Sequence, residues 1–256
     1  AIFGDYDADG TPAAAMLQLL CQRLNMESTV FLPTRQTGYG LSESFIEPIT
    51  SAHQLLITVD TGISSNREIA QIKEKGTAVI VLDHHLPGDS LPNADALVDP
   101  FLPKSKYPFP YLCGCALAFK FIQALQKYLP NQISDGFIKW QLDLVALSTV
   151  TDMMPLLGEN RSLVHFGLKV LSKTKRPGLK ELMLKAGIVS SKVSAGQISY
   201  TLGPRLNAAG RMGDNRPVLD LITTTDTGQA EILAKEIEQH NYDRQRKLEE
   251  LFTDVE

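Results

Sequence analysis

The sequence predicts an α/β fold: a mostly parallel, doubly wound five-stranded sheet, followed by a mainly helical part and a long C-terminal connector helix. Three observations carry this. Over the first hundred residues, short apolar runs alternate with segments of helical period, the mark of strand–helix–strand units and of a parallel sheet covered on both faces. From about Tyr111 the 3.6-residue period takes over. From Thr227 to Glu256 one charged, amphipathic pattern runs on to the last residue.

In chain order, AIFGD reads as the first strand. TPAAAMLQLLCQRLN is the first helix, with Pro12 in its first turn, where a missing N–H is tolerated. STVFLPTR is the second strand. The GYG of residues 38–40 opens a loop, and LSESFIEPI gives a short helix. LLITVD is the third strand, NREIAQIKEKG a helix closed by Gly76, TAVIVLD the fourth strand and DALVDP the fifth. Beyond Tyr111, CGCALAFKFIQALQKYL, FIKWQLDLVALSTVTD and SLVHFGLKVLSK each show helical spacing. The expected organisation is an α/β metal-binding part over 1–110, a helical remainder over 111–225, and a connector helix over 226–256 leading toward a further domain. No internal repeat or low-complexity segment is present.

Composition sets the class. A chain of 256 residues can bury a full core, and 43% hydrophobic with 21% charged residues is ordinary for a globular protein. A net charge of −4 argues against a generally basic nucleic-acid coat, yet leaves room for a local basic groove. The three cysteines, Cys21, Cys113 and Cys115, are few and odd in number, and no secretory signal precedes them, so a reduced, cytoplasmic protein is expected. Cys113 and Cys115 lack zinc spacing and read as packed small residues. No apolar stretch reaches the roughly 18 residues of a membrane span. The opening AIFGDYD has no Met and is already strand-like, which reads as a piece cut from a longer protein.

The acids are distributed by the strands. Asp5, Asp7 and Asp9 follow strand one, in GDYDADG. Asp60 ends strand three, in TVDTG, and Asp83, His84 and His85 end strand four, in VLDHHLPGD. Ligands of an open parallel sheet bind beyond the carboxyl ends of its strands. Any one of these acids alone would be an ordinary turn residue; their convergence on one edge is what points to a site. Gathered carboxylates repel one another and raise each other's pKa, and divalent cations relieve that repulsion. Oxygen donors suit Mg2+ or Mn2+, and an imidazole among them favours Mn2+. Paired ions on shared carboxylates are common machinery for cutting phosphoesters.

Asp83-His84-His85 is the signature of the DHH phosphoesterases. GDYDADG, TVDTG, DHHLPGD, LSTVTDMMPL and GPRLNAAGRMGD, in that order and over nearly the whole chain, resemble the RecJ family of single-stranded-DNA exonucleases. The departures are small: Pro12 and Ala13 where many relatives carry small hydroxyl residues, and Thr61 where Asn is common. The resemblance implies a two-manganese 5′-to-3′ exonuclease of DNA repair and recombination that releases mononucleotides. It also implies further domains, DHHA1 and an oligonucleotide-binding fold. Its substrate would be single-stranded DNA and its partners a single-stranded-DNA-binding protein and a helicase; the chain would be a cytoplasmic monomer with no membrane role.

Carried onto this sequence, the family pattern gives Asp7 one ion with Asp5 close by, and gives Asp9, His84 and Asp152 the other, with Asp60 bridging. Asp83 would orient a neighbouring histidine, and His85 would face the scissile phosphate. Arg205, Asn207 and Arg211 of PRLNAAGR would lie against the substrate backbone, where guanidinium forks suit phosphate oxygens. Arg35 and Tyr39 are candidates for phosphate contact and base stacking. His53, His165 and His240 fall outside every motif. Two other functions compete: a DHH phosphodiesterase acting on oligoribonucleotides or cyclic dinucleotides, and an inactive DHH-like DNA-binding scaffold.

Overall fold

The structure, a computed structural model, describes residues 1–34, 37–189 and 192–253, with side chains to 250. Its sheet has five parallel strands, β1 (Ile2–Gly4), β2 (Val30–Phe31), β3 (Leu55–Val59), β4 (Ala78–Leu82) and β5 (Ala96–Val98), in the order β2-β1-β3-β4-β5. The order reverses between β1 and β3, so the crevice for a ligand lies at their carboxyl ends. The register fixes that edge: Gly4 pairs Val59, Val59 pairs Leu82, and Leu82 pairs Val98. The next residue of each of these strands is an aspartate, Asp5, Asp60, Asp83 and Asp99, so the four stand in one row.

Alternation along the strands divides two hydrophobic clusters. Phe3, Leu56, Val79 and Val81 face Ile46, Ile49, Ile69 and Ile72 of α2 (Glu43–Thr50) and α3 (Asn66–Glu74). Ile2, Ile57, Val59 and Leu82 face α1 (Gly10–Arg23) and the helices beyond it. Both faces of the sheet are covered, as near-continuous apolar strands require. The second cluster continues without a break into α4 (Gly114–Tyr128), α6 (Leu142–Thr151) and α7 (Gly158–Leu171), and one core serves residues on both sides of position 110. The short α5 (Asp135–Trp140) is capped by Ser134, and α8 (Pro177–Lys185) begins on its proline.

The motif GPRLNAAGR, to which the sequence reading gave no element, is a helix. The capped turn α9 (Ala195–Gln197) runs into a π-helical turn, Ile198–Leu202, and on into α10 (Gly203–Met212). Pro204 stands in the first turn of α10, where no N–H is needed. After α11 (Arg216–Thr223) comes α12 (Thr227–Thr253), which packs on α8, α10 and α11. Ala230, Leu233, Ala234, Ile237 and Asn241 of α12 are buried. One face of the first half of the expected connector is thus a wall of the domain, and past Asn241 the described residues are exposed or half-buried.

Candidate metal centre

Three donor groups assemble at the carboxyl edge of the sheet, each with its ligand atoms within 4.8 Å of one another: Asp5, Asp7 and Asp60; Asp9, His84 and Asp152; and Asp60, His84 and His85. The groups overlap at Asp60 and His84. His84 Nε2 lies 2.9 Å from Asp60 Oδ1, 3.7 Å from Asp9 Oδ2 and 3.8 Å from Asp152 Oδ2. All six residues expected to hold metal therefore meet in one place.

Local structure explains how so many acids are held together. Asp7 Oδ1 accepts the amides of Asp9 (2.8 Å) and Gly10 (2.9 Å) and so closes the loop that starts α1. Asp9 is the N-cap residue of α1, yet its carboxylate serves another helix: Oδ2 accepts Gly114 N–H (2.6 Å) and Oδ1 accepts Cys115 N–H (2.9 Å), at the positive end of α4. Gly114 is needed there, because a Cβ would fall 2.5 Å from Asp60 Cβ. Asp60 adopts a left-handed backbone, φ 61°, which costs on the order of 1 kcal/mol in most L-residues and less in Asp or Asn. Asp152 is the C-cap residue of α6, the dipole end that disfavours an anion, and its Oδ2 is buried without a hydrogen-bond partner among the described residues.

The electrostatics follow. Burial pushes the Asp5 carboxyl up to about 7, with Asp7 adding to it, and pushes Asp152 up to about 8, with Asp9 and Asp7 adding. Burial and Asp9 raise Asp7, and burial with Asp9, Asp7, Asp5 and Asp152 raises Asp60 well above the carboxylate range. Burial keeps the His84 imidazole below its usual value, against the pull of Asp9, so Nε2 is a neutral donor. A cluster of carboxylates that resists ionisation, one of them with an orphaned oxygen, beside a neutral imidazole is a donor set that fits divalent cations.

The two remaining residues of the DHH motif divide differently. Asp83 is buried and saturated: Oδ2 accepts Ile63 N–H (2.9 Å), and Oδ1 accepts His84 N–H (2.8 Å) and lies 2.7 Å from His85 Nδ1. The His85 side chain is 47% exposed. The Asp83 hydrogen bond raises its imidazole to about 8.

The expected substrate residues separate. Arg205 is held by Glu238 of α12, through Nε (2.6 Å) and Nη2 (2.9 Å), and Nη1 donates to Thr201 O. Asn207 Oδ1 accepts Ala8 N–H (2.7 Å) and grips the acid loop. Arg211 is exposed and carries no partner among the described residues. Gly210 lets α10 reach Tyr6: a Cβ would fall 2.7 Å from Tyr6 O. Tyr39, 63% exposed, meets Tyr6 edge-on and lines a groove of about 360 Å³ with Thr61, Asp83 and His85. Its hydroxyl is raised by burial and by the nearby charges of Asp5 and Asp60. Arg35 lies outside the described residues.

Asp99, the fourth acid of the row, was not singled out from the sequence. It is 4% exposed, Oδ1 accepts Phe101 N–H (2.7 Å), Oδ2 has no partner among the described residues, and burial raises it to about 6. The signal was present: DALVDP ends its strand on Asp as the other three do.

A pH prediction follows for the metal-free protein. Asp5, Asp7, Asp60, Asp99 and Asp152 bind protons more tightly folded than unfolded, so their contribution is full below about pH 4 and is lost as pH rises toward 8. His85 has the same sign between about 6.5 and 8, while Asp83 and His84, lowered, oppose it. In chelator, the melting temperature is expected to fall between pH 5 and 8.5, and Mn2+ to restore it most at the alkaline end. A melting temperature that rises over this range without metal would contradict the strained cluster.

The model of the DHH family, N-terminal domain, matches residues 1–149. The single-stranded-DNA-specific exonuclease RecJ of Bacillus subtilis (strain 168) is 38% identical over 252 residues, covering 98% of this chain and 31% of that protein. The Escherichia coli (strain K12) protein of the same name is 38% identical, covering 95% of this chain and 44% of its own length. A crystal structure of exonuclease RecJ bound to manganese superposes with a TM-score of 0.89 at 31% identity, over 99% of this chain and 64% of that one. RecJ of Thermus thermophilus in complex with Mn2+ gives 0.86 at 30% identity, over 99% of this chain and 36% of that one. The chain spans less than half the length of these curated relatives. No helix among the described residues is long and apolar enough to cross a membrane. Matched by the family model over more than half its length, the chain belongs to the DHH family, and its likeness in sequence and fold there is to RecJ exonucleases.

Proposed function

We propose that the centre holds two divalent ions and that the protein is a single-stranded-DNA exonuclease, working from the 5′ end and releasing 5′-mononucleotides. The observation that carries this is the overlap of the donor groups at Asp60 and His84, which makes two adjacent positions out of one cluster. Asp5, Asp7 and Asp60 would hold one ion and Asp9, His84 and Asp152 the other, with Asp60 common to both. The imidazole favours Mn2+, although Mg2+ fits the same oxygens. Bound there, the ions supply charge stabilisation to the attacking and leaving oxygens of the phosphodiester.

The chain's own groups do the rest. Asp83 holds His85 Nδ1, which leaves Nε2 for the substrate, and the raised imidazole would donate to a phosphate oxygen or return a proton to the leaving oxygen. Arg211, exposed and without a partner among the described residues, would neutralise a backbone phosphate, and Tyr39 would offer an aromatic face beside the groove. The same reading gives the protein a place in DNA repair and recombination, as a cytoplasmic monomer beside a single-stranded-DNA-binding protein and a helicase.

The test compares Mn2+-dependent digestion of 5′-labelled single-stranded DNA, RNA dinucleotides and cyclic dinucleotides by the whole protein. Mononucleotide release from DNA, stopped by chelator, is expected. Preference for the dinucleotides would make it a small-substrate phosphodiesterase. Binding of DNA without cleavage would make it a scaffold.

The two arginines are expected to respond differently. Arg211→Ala should weaken single-stranded DNA binding and flatten its salt dependence by about one counterion, with little change in melting temperature. Arg205→Ala breaks a partly buried, two-pronged ion pair and should cost roughly 1.5–3 kcal/mol of stability. Equal loss of DNA affinity in both, with no loss of stability in Arg205→Ala, would return Arg205 to the substrate.

A further inference from the structure

Between the proposed ligands of one ion, Asp7, and of the other, Asp9, lies the buried Ala8, 1% exposed. Both polar groups of Ala8 are taken by side chains from helices remote in sequence. Its N–H donates to Asn207 Oδ1 of α10 at 2.7 Å. Its carbonyl accepts from Ser148 Oγ of α6 at 3.0 Å. Ser148 is fully buried, and it precedes Asp152 by four residues, on the same side of α6. The helix that presents Asp152 to one ion thus also holds the hinge between Asp7 and Asp9. The helix that carries Arg211 holds the same hinge from the opposite polar group.

Among the described residues, no other bond of the loop does this. The remaining bonds near Ala8 tie the loop to itself, as Asp7 does to Asp9 and Gly10, or fix one carboxylate, as the start of α4 does for Asp9. A change in the backbone dihedrals of Ala8 would shift Asp7 relative to Asp9, and with them the two ion positions they would serve. Holding Ala8 N–H and C=O at once removes that freedom. Asn207 Oδ1 and Ser148 Oγ are each engaged by the Ala8 peptide.

We propose that Ser148 and Asn207 are positioning residues that fix the Ala8 peptide and so set the separation of the two ion sites. This assigns Asn207, expected from the sequence to touch substrate, to the metal loop. The inference rests on the two-ion reading above. It makes α10 a double-sided element: Arg211 meets the substrate while Asn207 keeps the ions in register.

The test uses the whole protein loaded with Mn2+, read by calorimetry for stoichiometry and affinity and by electron paramagnetic resonance for the exchange coupling of a manganese pair, which depends on their spacing. Ser148→Ala and Asn207→Leu are expected to weaken the second Mn2+ by about 10–100-fold, as loss of a ligand-orienting group does, and to alter the coupling signal. Asn207→Asp keeps an acceptor for Ala8 N–H and is expected to retain the coupling. The double variant Ser148→Ala/Asn207→Leu should lose less than the product of the single effects, because both act on one peptide. If Asn207→Leu does not fold, Ser148→Ala and Asn207→Asp decide: unchanged coupling in Ser148→Ala, or lost coupling in Asn207→Asp, overturns the proposal. A wild-type protein that binds one Mn2+ without coupling overturns the two-ion reading and this inference with it. Wild-type coupling that survives both Ser148→Ala and Asn207→Leu overturns the inference alone.

Discussion

If the centre holds two ions as proposed, Asp60→Ala is expected to lower the cleavage rate by roughly three orders of magnitude or more, since it would take a ligand from both and several kcal/mol of charge stabilisation is at stake, at about 1.36 kcal/mol per tenfold. Its effect on the metal-free protein should be the reverse. Asp60 is 2% exposed, sits among Asp5, Asp7, Asp9 and Asp152, and has the left-handed φ of 61°. Taking away its carboxylate relieves the repulsion at pH 8, whereas Ala tolerates the left-handed backbone less well than Asp. Asp60→Asn separates these effects, because Asn keeps the side-chain shape and the tolerance for positive φ. The metal-free Asn variant should melt above the wild type at pH 8, and both variants should lose most of the thermal gain from Mn2+. A site selected for ion binding is destabilised until the ions arrive, and variants that stabilise it do so at the expense of activity. Near-normal cleavage with both ions retained in Asp60→Ala would remove Asp60 from the bridge.

That Asp60 should matter could be read from the chain itself, because a strand whose last apolar residue is followed by Asp places that acid at the ligand edge whatever the rest of the fold does. The parallel register brings Asp5, Asp60 and Asp83 level, and strand–helix alternation is enough to predict it. What the sequence could not show is where side chains more than a hundred residues away would arrive. Asn207 meets Ala8 across 199 residues, and Ser148 meets it across 140. Guanidinium and amide groups suit phosphate and protein partners equally, so PRLNAAGR read as a substrate motif. Glu238, which takes Arg205, lies on a helix whose amphipathic pattern marks an apolar face but not the partner that each charged residue meets. Cys113 and Cys115 are buried, as their apolar setting implied, but the use of this stretch is in its backbone: the Gly114 and Cys115 amides receive Asp9, and no side-chain pattern announces that. Asp99 has the same place after β5 as Asp5, Asp60 and Asp83 have after their strands, and strand order alone is enough to put it in the row.

The adjacent histidines should separate in experiment. His84 is buried, its imidazole kept neutral, and Nε2 is turned into the carboxylates 2.9 Å from Asp60. His85 is half exposed, tied by Nδ1 to the saturated Asp83, and its raised imidazole keeps a proton on Nε2 at neutral pH. His84→Ala removes a donor, so it should weaken Mn2+ binding, and excess Mn2+ should recover part of the activity. His85→Ala should leave the ion content unchanged and lower turnover by about 10²–10⁴-fold, the range for a lost proton-transfer group, with no recovery from added metal. Asp83→Asn should resemble a weaker His85→Ala, because the imidazole keeps a neighbour but loses the charge that raises it. The alkaline limb of the pH–rate profile, where a protonated His85 is lost, then tells them apart: loss of the Asp83 charge moves that limb to lower pH, whereas loss of His85 removes it. His85 also stands within ligand distance of Asp60 and His84, so elemental analysis of each purified variant is the deciding measurement. If His84→Ala and His85→Ala lose Mn2+ equally, both imidazoles are ligands, and Asp83 is a carboxylate that orients a metal-bound histidine rather than a proton donor.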